Sequence, residues 1–306
     1  MEWATINGER DKEMYNFPLV HVILLNFNSY TDTIECVESL KKVTYPNLEI
    51  IIVDNFSSDM SENILRQKYP DLVIIQTGKN LGFAGGNNIG IKYSLENGAD
   101  YVCLLNNDTT VEPNFLSFLV ETAESDRNIG IVGGVIKYYN QHEKIWYSGG
   151  YFSELKTKGI HLTELPSNDL MEVSFITGCL QLIRKEVIID IGYLPEEYFI
   201  YYEDVDFCKT VKDKGYKLLI SKNAVIYHKC GSTASYKSPI SIYYSNRNKF
   251  IFINKHYKGL KRGFLLTKNL FLLFIKGLLY RGEKRKAIIS ASKFCFPRTL
   301  QILVNR

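Results

Sequence analysis

The stretch "LVHVILLNFN", Leu19 to Asn28, is a continuous apolar run rich in β-branched residues that closes on two asparagines. A half-exposed strand would alternate apolar with polar residues, so an unbroken run reads as a strand covered on both faces, the pattern of a parallel sheet between helices. The residues that follow repeat the theme. Asp32 with Glu35 three positions on predicts a helix start, and Ile34, Val37 and Leu40 form its apolar stripe. "LEIIIVD" (Leu48 to Asp54) predicts a second buried strand, Asp59 to Tyr69 a capped helix, and "LVIIQ" (Leu72 to Gln76) a third strand. The glycine-rich "NLGFAGGNNIG" (Asn80 to Gly90) leads into a helix stopping at Gly98, and "YVCLL" (Tyr101 to Leu105) is a fourth strand. Strand and helix alternate, so the fold class is α/β with a mostly parallel central sheet. Ligands of such sheets bind beyond the carboxyl ends of the strands, which directs attention to Asn26 and Asn28, Asp54 and Asn55, and Asn106 to Asp108.

From Ile129 the pattern changes to short strand-like pieces and loops, through "IWYSGGYF" (Ile145 to Phe152) to "VSFITGCLQLIR" (Val173 to Arg184). In "YYEDVDFCKTVKDKG" (Tyr201 to Gly215), Val205, Cys208 and Val211 share one helical face and Gly215 supplies a stop. Two short strands, "KLLIS" and "AVIYH", are expected next, ending at His228. The boundaries this suggests are a polar N-terminal arm over 1–17, a catalytic-size domain over 18–240 in two halves (18–128 and 129–240), and a C-terminal region over 241–306.

At 306 residues and 45% hydrophobic composition the chain can bury a large core. Its six cysteines are scattered, without a CxxC pair or a signal-peptide pattern before Met14, which argues against a disulfide framework or a zinc site and for reduced thiols in a cytoplasmic chain. The net charge of +4 conceals an asymmetry: residues 255–306 carry 13 of the 37 Lys and Arg but only Glu283 among the acids, net +12, leaving −8 on the rest. Within that tail "GFLLTKNLFLLFIKGLLY" (Gly263 to Tyr280) is interrupted by Lys268 and Lys276, whereas a spanning helix needs roughly 20 predominantly apolar residues. The tail is therefore expected to be a basic amphipathic helix lying on an anionic membrane, or else a helix packed on the body or in an oligomer contact. No nucleic-acid module is recognisable in it.

Several residues are placed where chemistry is done. Asp54, at a strand end, either accepts the imide N–H of a uracil or thymine ring or closes an Asx turn. Gly82, Gly85, Gly86 and Gly90 lie too far into the fold, and in the wrong spacing, for a dinucleotide fingerprint, which excludes a nicotinamide enzyme. Asp108 directly follows a buried strand, where a lone carboxylate is costly unless solvated or paired with a cation. Mg²⁺ takes few protein carboxylates and completes its shell with water and substrate phosphates, so one aspartate suffices for a metal held mainly by a diphosphate. Glu203, Asp204 and Asp206 crowd a helix start, either to complement the helix dipole or to supply a general base. His228 is a metal ligand, a phosphate contact or a structural residue.

The collinear set "VDNFSSD", "NLGFAGGNNIGI", "LLNNDTTVEP", "TGCLQLIRKEV", "YFIYYEDVDFC" and "AVIYHKCGST", with a weaker echo in "YYSNRNKFIFINKHY", resembles the family 2 glycosyltransferases of GT-A fold, in particular the bacterial rhamnosyltransferase-like branch. The resemblance runs from about Val20 to Ser235. It implies an inverting, metal-dependent transferase that uses Mg²⁺ or Mn²⁺ and moves a sugar, L-rhamnose from dTDP-L-rhamnose or a hexose from a UDP donor, to a glycan or lipid-linked glycan acceptor. A sugar-nucleotide-binding module without activity is the remote alternative. Asp54 would then contact the nucleobase, with Asn26, Asn28, Asn55, Asn80, Gly82, Gly85, Asn87 and Asn106 around the donor. Asp108 occupies the last position of the family's Asp-x-Asp metal motif, with Asn106 at the first, and His228 would share the metal or diphosphate. Asp204 would be the catalytic base beside Glu203, and Trp146, Gly178, Tyr202 and Asp206 would face the acceptor. Such an enzyme would work on the inner face of the cell membrane.

Overall fold

The computed structural model describes residues 17–230 and 238–304; the arm expected over 1–17, apart from Phe17, and the "AVIYHKCGST" motif from residue 231 on lie outside the described residues. The first half comprises β1 (Val20–Asn26), α1 (Tyr30–Leu40), β2 (Leu48–Asp54), α2 (Ser61–Lys68), β3 (Val73–Gln76), α3 (Gly82–Glu96), β4 (Tyr101–Asn106), β5 (Thr109–Val111) and α4 (Phe115–Glu124). Then come β6 (Ile129–Tyr138), β7 (Gln141–Tyr147), β8 (Gly150–Ser153), β9 (Lys158–His161), β10 (Leu170–Glu172), β11 (Leu180–Arg184), α5 (Lys185–Ile191), a 3₁₀ turn (Glu196–Tyr198), α6 (Glu203–Asp213) and β12 (Lys217–His228). Three helices follow: α7 (Pro239–His256), α8 (Gly259–Leu279) and α9 (Gly282–Val304).

The main sheet runs β10-β12-β6-β11-β4-β1-β2-β3, with β5 added at β12 and β7 at β6, while β8 and β9 form a separate hairpin. β1 is parallel to both β2 and β4, and β2 to β3. The residues of the opening run, Val22, Ile23 and Leu24, have no exposed surface, and neither do Ile51, Ile52 and Val53 beside them. Full burial of such a side chain contributes about 1.5–3 kcal/mol, which explains the unbroken apolar reading of these strands. From β1 the chain moves to β2 and β3 on one side and returns as β4 on the other, so the carboxyl ends of β1 and β4 form the topological switch point of the sheet, where ligands of such folds bind. The second half is mixed, because β11 runs antiparallel between β4 and β6 and β12 runs parallel to β6.

Two local expectations are corrected. The glycine-rich segment is not a loop before a helix but the first half of α3 itself, from Gly82 on. A Cβ at Gly86 would lie 2.4 Å from Leu25, and one at Gly90 2.7 Å from Ile23, so glycine lets α3 seat directly on β1. The two short strands expected before His228 are one strand, β12, whose register against β6 shifts between Ser221 and Val225. At that irregularity the Ala224 carbonyl sits where a Cβ of Gly134 would be, 2.3 Å away.

α7 packs as part of the body. Phe252 is fully buried, with its ring 4.7 Å from Phe152 and 4.5 Å from His256. Lys255 and His256 reach the buried Asp206 of α6 at 2.7 and 2.6 Å, and these bonds hold its carboxyl below the usual range against the opposing effect of burial. A depressed folded pKa means the stabilisation is present above the unfolded value of about 3.9 and is lost as pH falls through the folded value. Asp206→Asn is therefore expected to lower the melting temperature clearly at pH 7, breaking a buried pair worth about 3–5 kcal/mol, and the gap to wild type should narrow below about pH 4. Thermal unfolding followed by circular dichroism across pH 3–8 checks this, and a gap independent of pH would contradict it.

Candidate active site

Register fixes the arrangement at the switch point. Asn26 pairs with Asp54 across β1 and β2, and Leu25 with Asn106 across β1 and β4. The buried Asn26 amide donates to Asp54 (2.8 Å) and Ser57 (3.1 Å), and its oxygen accepts from Thr33 (2.8 Å). Asp54 has no exposed surface and also accepts from the Ser57 amide N–H (2.9 Å) and Gln76 (2.8 Å). Three of the roughly four acceptor directions of this carboxylate are thus used inside the protein. In this structure Asp54 organises the "DNFSSD" turn, the Asx reading of the sequence, and any contact with a base is left to a single lone pair.

The turn and the α3 start are joined by side-chain amides. Asn28, exposed and left-handed at φ 52°, accepts from the Ser58 N–H (2.7 Å). Asn55 donates to Asn80 (3.1 Å) and to the Gly82 carbonyl (3.0 Å), and accepts from the Leu81 N–H (2.9 Å). Gly82 needs φ +73°, and the Phe199 carbonyl would stand 2.3 Å from its Cβ. A Cβ on Gly85 would lie 2.8 Å from Leu81, and Asn87 caps the Phe83 carbonyl within its own helix (2.9 Å).

On the other side of that point, β5 pairs antiparallel with the end of β12, aligning Thr109 with His228. That pairing sets the His228 Nε2 3.1 Å from Asp108 Oδ1 and 3.5 Å from the Asn106 amide. Both Asp108 and His228 are buried. Burial disfavours the imidazolium, yet the Cys179 and Asp108 side chains outweigh it and raise the His228 pKa well above the ordinary range. Lys229, next in the chain, holds Asp32 and Glu35 of α1 at 2.6 Å each, so these acids fasten β12 as well as opening α1. Trp146 stands edge-on to His228, ring centres 4.7 Å apart.

The acidic cluster splits three ways. Asp204, partly exposed at the α6 start, accepts from the Gly178 N–H (3.0 Å) and the Val205 N–H (2.8 Å), and burial raises its pKa. Gly178 precedes Cys179, whose carbonyl accepts from Asn106 N–H at 3.0 Å, so a short chain of contacts links Asp204 to the Asp108–His228 pair. Glu203 is buried with Oε2 unpartnered among the described residues, and burial, with the Asp204 carboxylate beside it, raises its pKa well above the ordinary carboxylate range. Asp206 does not face an acceptor as expected: it points into the body and pairs with α7. Tyr202 likewise is buried, its hydroxyl donating to the Thr157 carbonyl. Before α6, Phe199, Tyr201 and Tyr202 are all left-handed (φ 65°, 68° and 79°), a conformation costing non-glycine residues roughly 1–2 kcal/mol each.

Sequence reasoning passed over Thr33, Ser57 and Gln76, which complete the network; Asn107, inside the Asn106 to Asp108 run that the sequence singles out, donates to Thr33 at 2.8 Å. Their signal is only positional, polar residues one step from a strand end or a helix start. Among the described residues no three His, Cys, Asp or Glu side chains converge to hold a metal ion. One carboxylate, one imidazole and one amide fit a divalent cation only if a substrate supplies most of its ligands.

A family model described as "Glycosyl transferase family 2" matches residues 21–192. The chain is 25% identical to dTDP-rhamnosyl transferase RfbF of Shigella flexneri over 87% of its own length and 90% of that protein's. It is 24% identical to N-acetylglucosaminyl-diphospho-decaprenol L-rhamnosyltransferase of Mycobacterium tuberculosis, covering 81% and 90%. In structure it is similar to mannosyltransferase PcManGT of Pyrobaculum calidifontis, solved with GDP-mannose and Mn²⁺: TM-score 0.60, 15% identity, 92% and 88% covered. That neighbour is of GT-A fold, and the fold here is the same α/β architecture.

The sparse donor set yields a test by titration calorimetry. Mn²⁺ should bind the free protein only weakly and bind at least about tenfold more tightly with dTDP or UDP present. Tight binding without nucleotide would contradict it.

Proposed function

The chain belongs to glycosyl transferase family 2, and from that premise we propose that it transfers L-rhamnose from dTDP-L-rhamnose to a hydroxyl of a lipid-linked or cell-surface glycan, inverting the anomeric carbon. The observation that supports the reading is the contact chain Asp204–Gly178–Cys179–Asn106, which links a carboxylate of raised pKa to the neighbourhood of the Asp108–His228 pair. Similarity over most of the chain to two rhamnosyltransferases supports the sugar, and the diphospho-decaprenol substrate named for one of them supports a lipid-linked acceptor.

In this reading Asp204, oriented by the Gly178 and Val205 N–H groups, takes the proton of the acceptor hydroxyl as that oxygen bonds to the anomeric carbon. The bond to the donor diphosphate breaks in the same displacement, and its electron pair leaves with the nucleoside diphosphate. A positioned base of this kind contributes about 10²–10⁴-fold. Asp108 and His228, with Asn106, would hold a Mg²⁺ or Mn²⁺ ion, which when bound neutralises the departing diphosphate.

The C-terminal helices support contact with an anionic membrane. Among the described residues no helix is long and apolar enough to cross one. Phe271, Phe274 and Leu278 of α8, each 63% exposed, recur at the three- and four-residue spacing of one helical face. They border an apolar groove of about 820 Å³ against α9 that also includes Arg285 and Lys293. Aromatic bodies beside basic heads suit the boundary between acyl chains and anionic headgroups.

Two experiments test these assignments. Asp204→Asn should lower kcat by about 10²-fold or more with donor KM little changed; near-normal transfer in that variant, with Glu203→Gln inactive, would move the base to Glu203. Replacing Phe271, Phe274 and Leu278 together by serine should release the protein from phosphatidylglycerol vesicles in a flotation assay, and undiminished binding would make that face a protein contact.

A further inference from the structure

The turn between the 3₁₀ segment and α6 carries three left-handed, non-glycine residues, so its carbonyls diverge: that of Phe199 accepts from Phe83 N–H of α3, that of Tyr202 from Asp206 N–H of α6, and others face α7. One side chain collects these last. Asn248, on α7 and without exposed surface, donates through Nδ2 to the carbonyls of Tyr198 (2.9 Å), Ile200 (2.8 Å) and Tyr201 (2.7 Å). An amide nitrogen has two hydrogens, so one of them is shared. The Asn248 oxygen accepts from Arg247 Nε at 2.8 Å; the Arg247 guanidinium also donates to the Glu197 carbonyl and lies over the Tyr244 ring, which stacks on Phe199. On its other side the same turn supports the donor helix, for the Phe199 carbonyl accepts from Phe83 N–H at 2.6 Å and presses on Gly82.

We propose that Asn248 is a positioning residue of the transferase: by fixing the carbonyls of the 198–201 turn from behind, it sets both the angle at which α6 presents Asp204 and the seat of Gly82 at the donor site. The claim rests on the function proposed above. Its physical basis is that α6 begins at residue 203, directly after the last left-handed residue, so nothing flexible separates the clamp from the base. The alternative, an anchor for α7 alone, does not explain why all three bonds go to the turn rather than to the sheet or to α6.

The test is Asn248→Ala in the full chain, with dTDP-L-rhamnose as the donor and hydrogen exchange read by mass spectrometry. Misplacing a base by about 1 Å costs on the order of 10²-fold, so kcat should fall by about that factor while donor KM changes little. Amide exchange should rise in peptides covering 196–206 and stay unchanged over β1, β2 and β4. A folded variant with unaltered kcat, or with a lowered kcat but unchanged exchange at 196–206, overturns the proposal. Should the alanine variant fail to fold, Arg247→Ala, which loosens the upstream edge of the clamp, is expected to give the same two signatures at smaller size, and their absence overturns it equally. If the wild type turns over no dTDP-L-rhamnose, the rhamnosyl reading fails, and the exchange comparison still decides the clamp.

Discussion

The site exists because β1 is paired in parallel on both sides. Its neighbours are reached by connections that leave in opposite directions, so the carboxyl ends of β1 and β4 form a topological switch point, where such sheets bind ligands. The candidate site residues are placed relative to that point. Asn26 and Asn106 end the two strands, Asp108 follows one of them, and the short β5–β12 ladder brings His228 from the far end of the fold to meet it. If that ladder slipped by one residue, His228 would turn to the other face of the strand and Asp108 would be buried without its partner.

Much of the first half was legible because parallel strands buried on both faces leave an unmistakable trace, long β-branched runs closed by polar residues. Where the reading failed, the deciding fact was tertiary. Gly86 and Gly90 look like loop residues by propensity, yet they are in a helix because Leu25 and Ile23 occupy the space a side chain would need. The break between "KLLIS" and "AVIYH" is a bulge that Gly134 on another strand permits. Asp204 and Asp206 are two positions apart on a helix and so must face different ways. The sequence alone does not say which one turns inward; the answer is Lys255 and His256, about 50 residues on. Asp54 likewise reads as an open ligand group until Ser57, Gln76 and Asn26 are seen to fill its acceptor sites.

The charge break that suggests a separate tail falls inside α7, and it is a break in composition rather than in packing. Asn248, Phe252 and His256 bind α7 to the turn, the core and α6 in succession. Apart from Ile240 at the start of α7, the exposed large apolar residues of these helices begin with Leu260 on α8, so the chain passes from packed body to amphipathic surface between His256 and Leu260. The 198–201 turn, α6 and the amphipathic helices are therefore joined through α7. In the proposed function this geometry keeps the catalytic face at a fixed orientation to the surface that carries the acceptor.

The central claim, that a metal-nucleotide crevice and a carboxylate base act together on a sugar nucleotide, is tested most directly by a donor-hydrolysis screen. Purified protein would be given dTDP- and UDP-sugars in turn, with Mg²⁺, with Mn²⁺ and with chelator, and the release of nucleoside diphosphate measured. Release from dTDP-L-rhamnose above the other donors, abolished by chelator, is the predicted result. Release that is indifferent to chelator, or nucleotide binding without release from any donor, would contradict it.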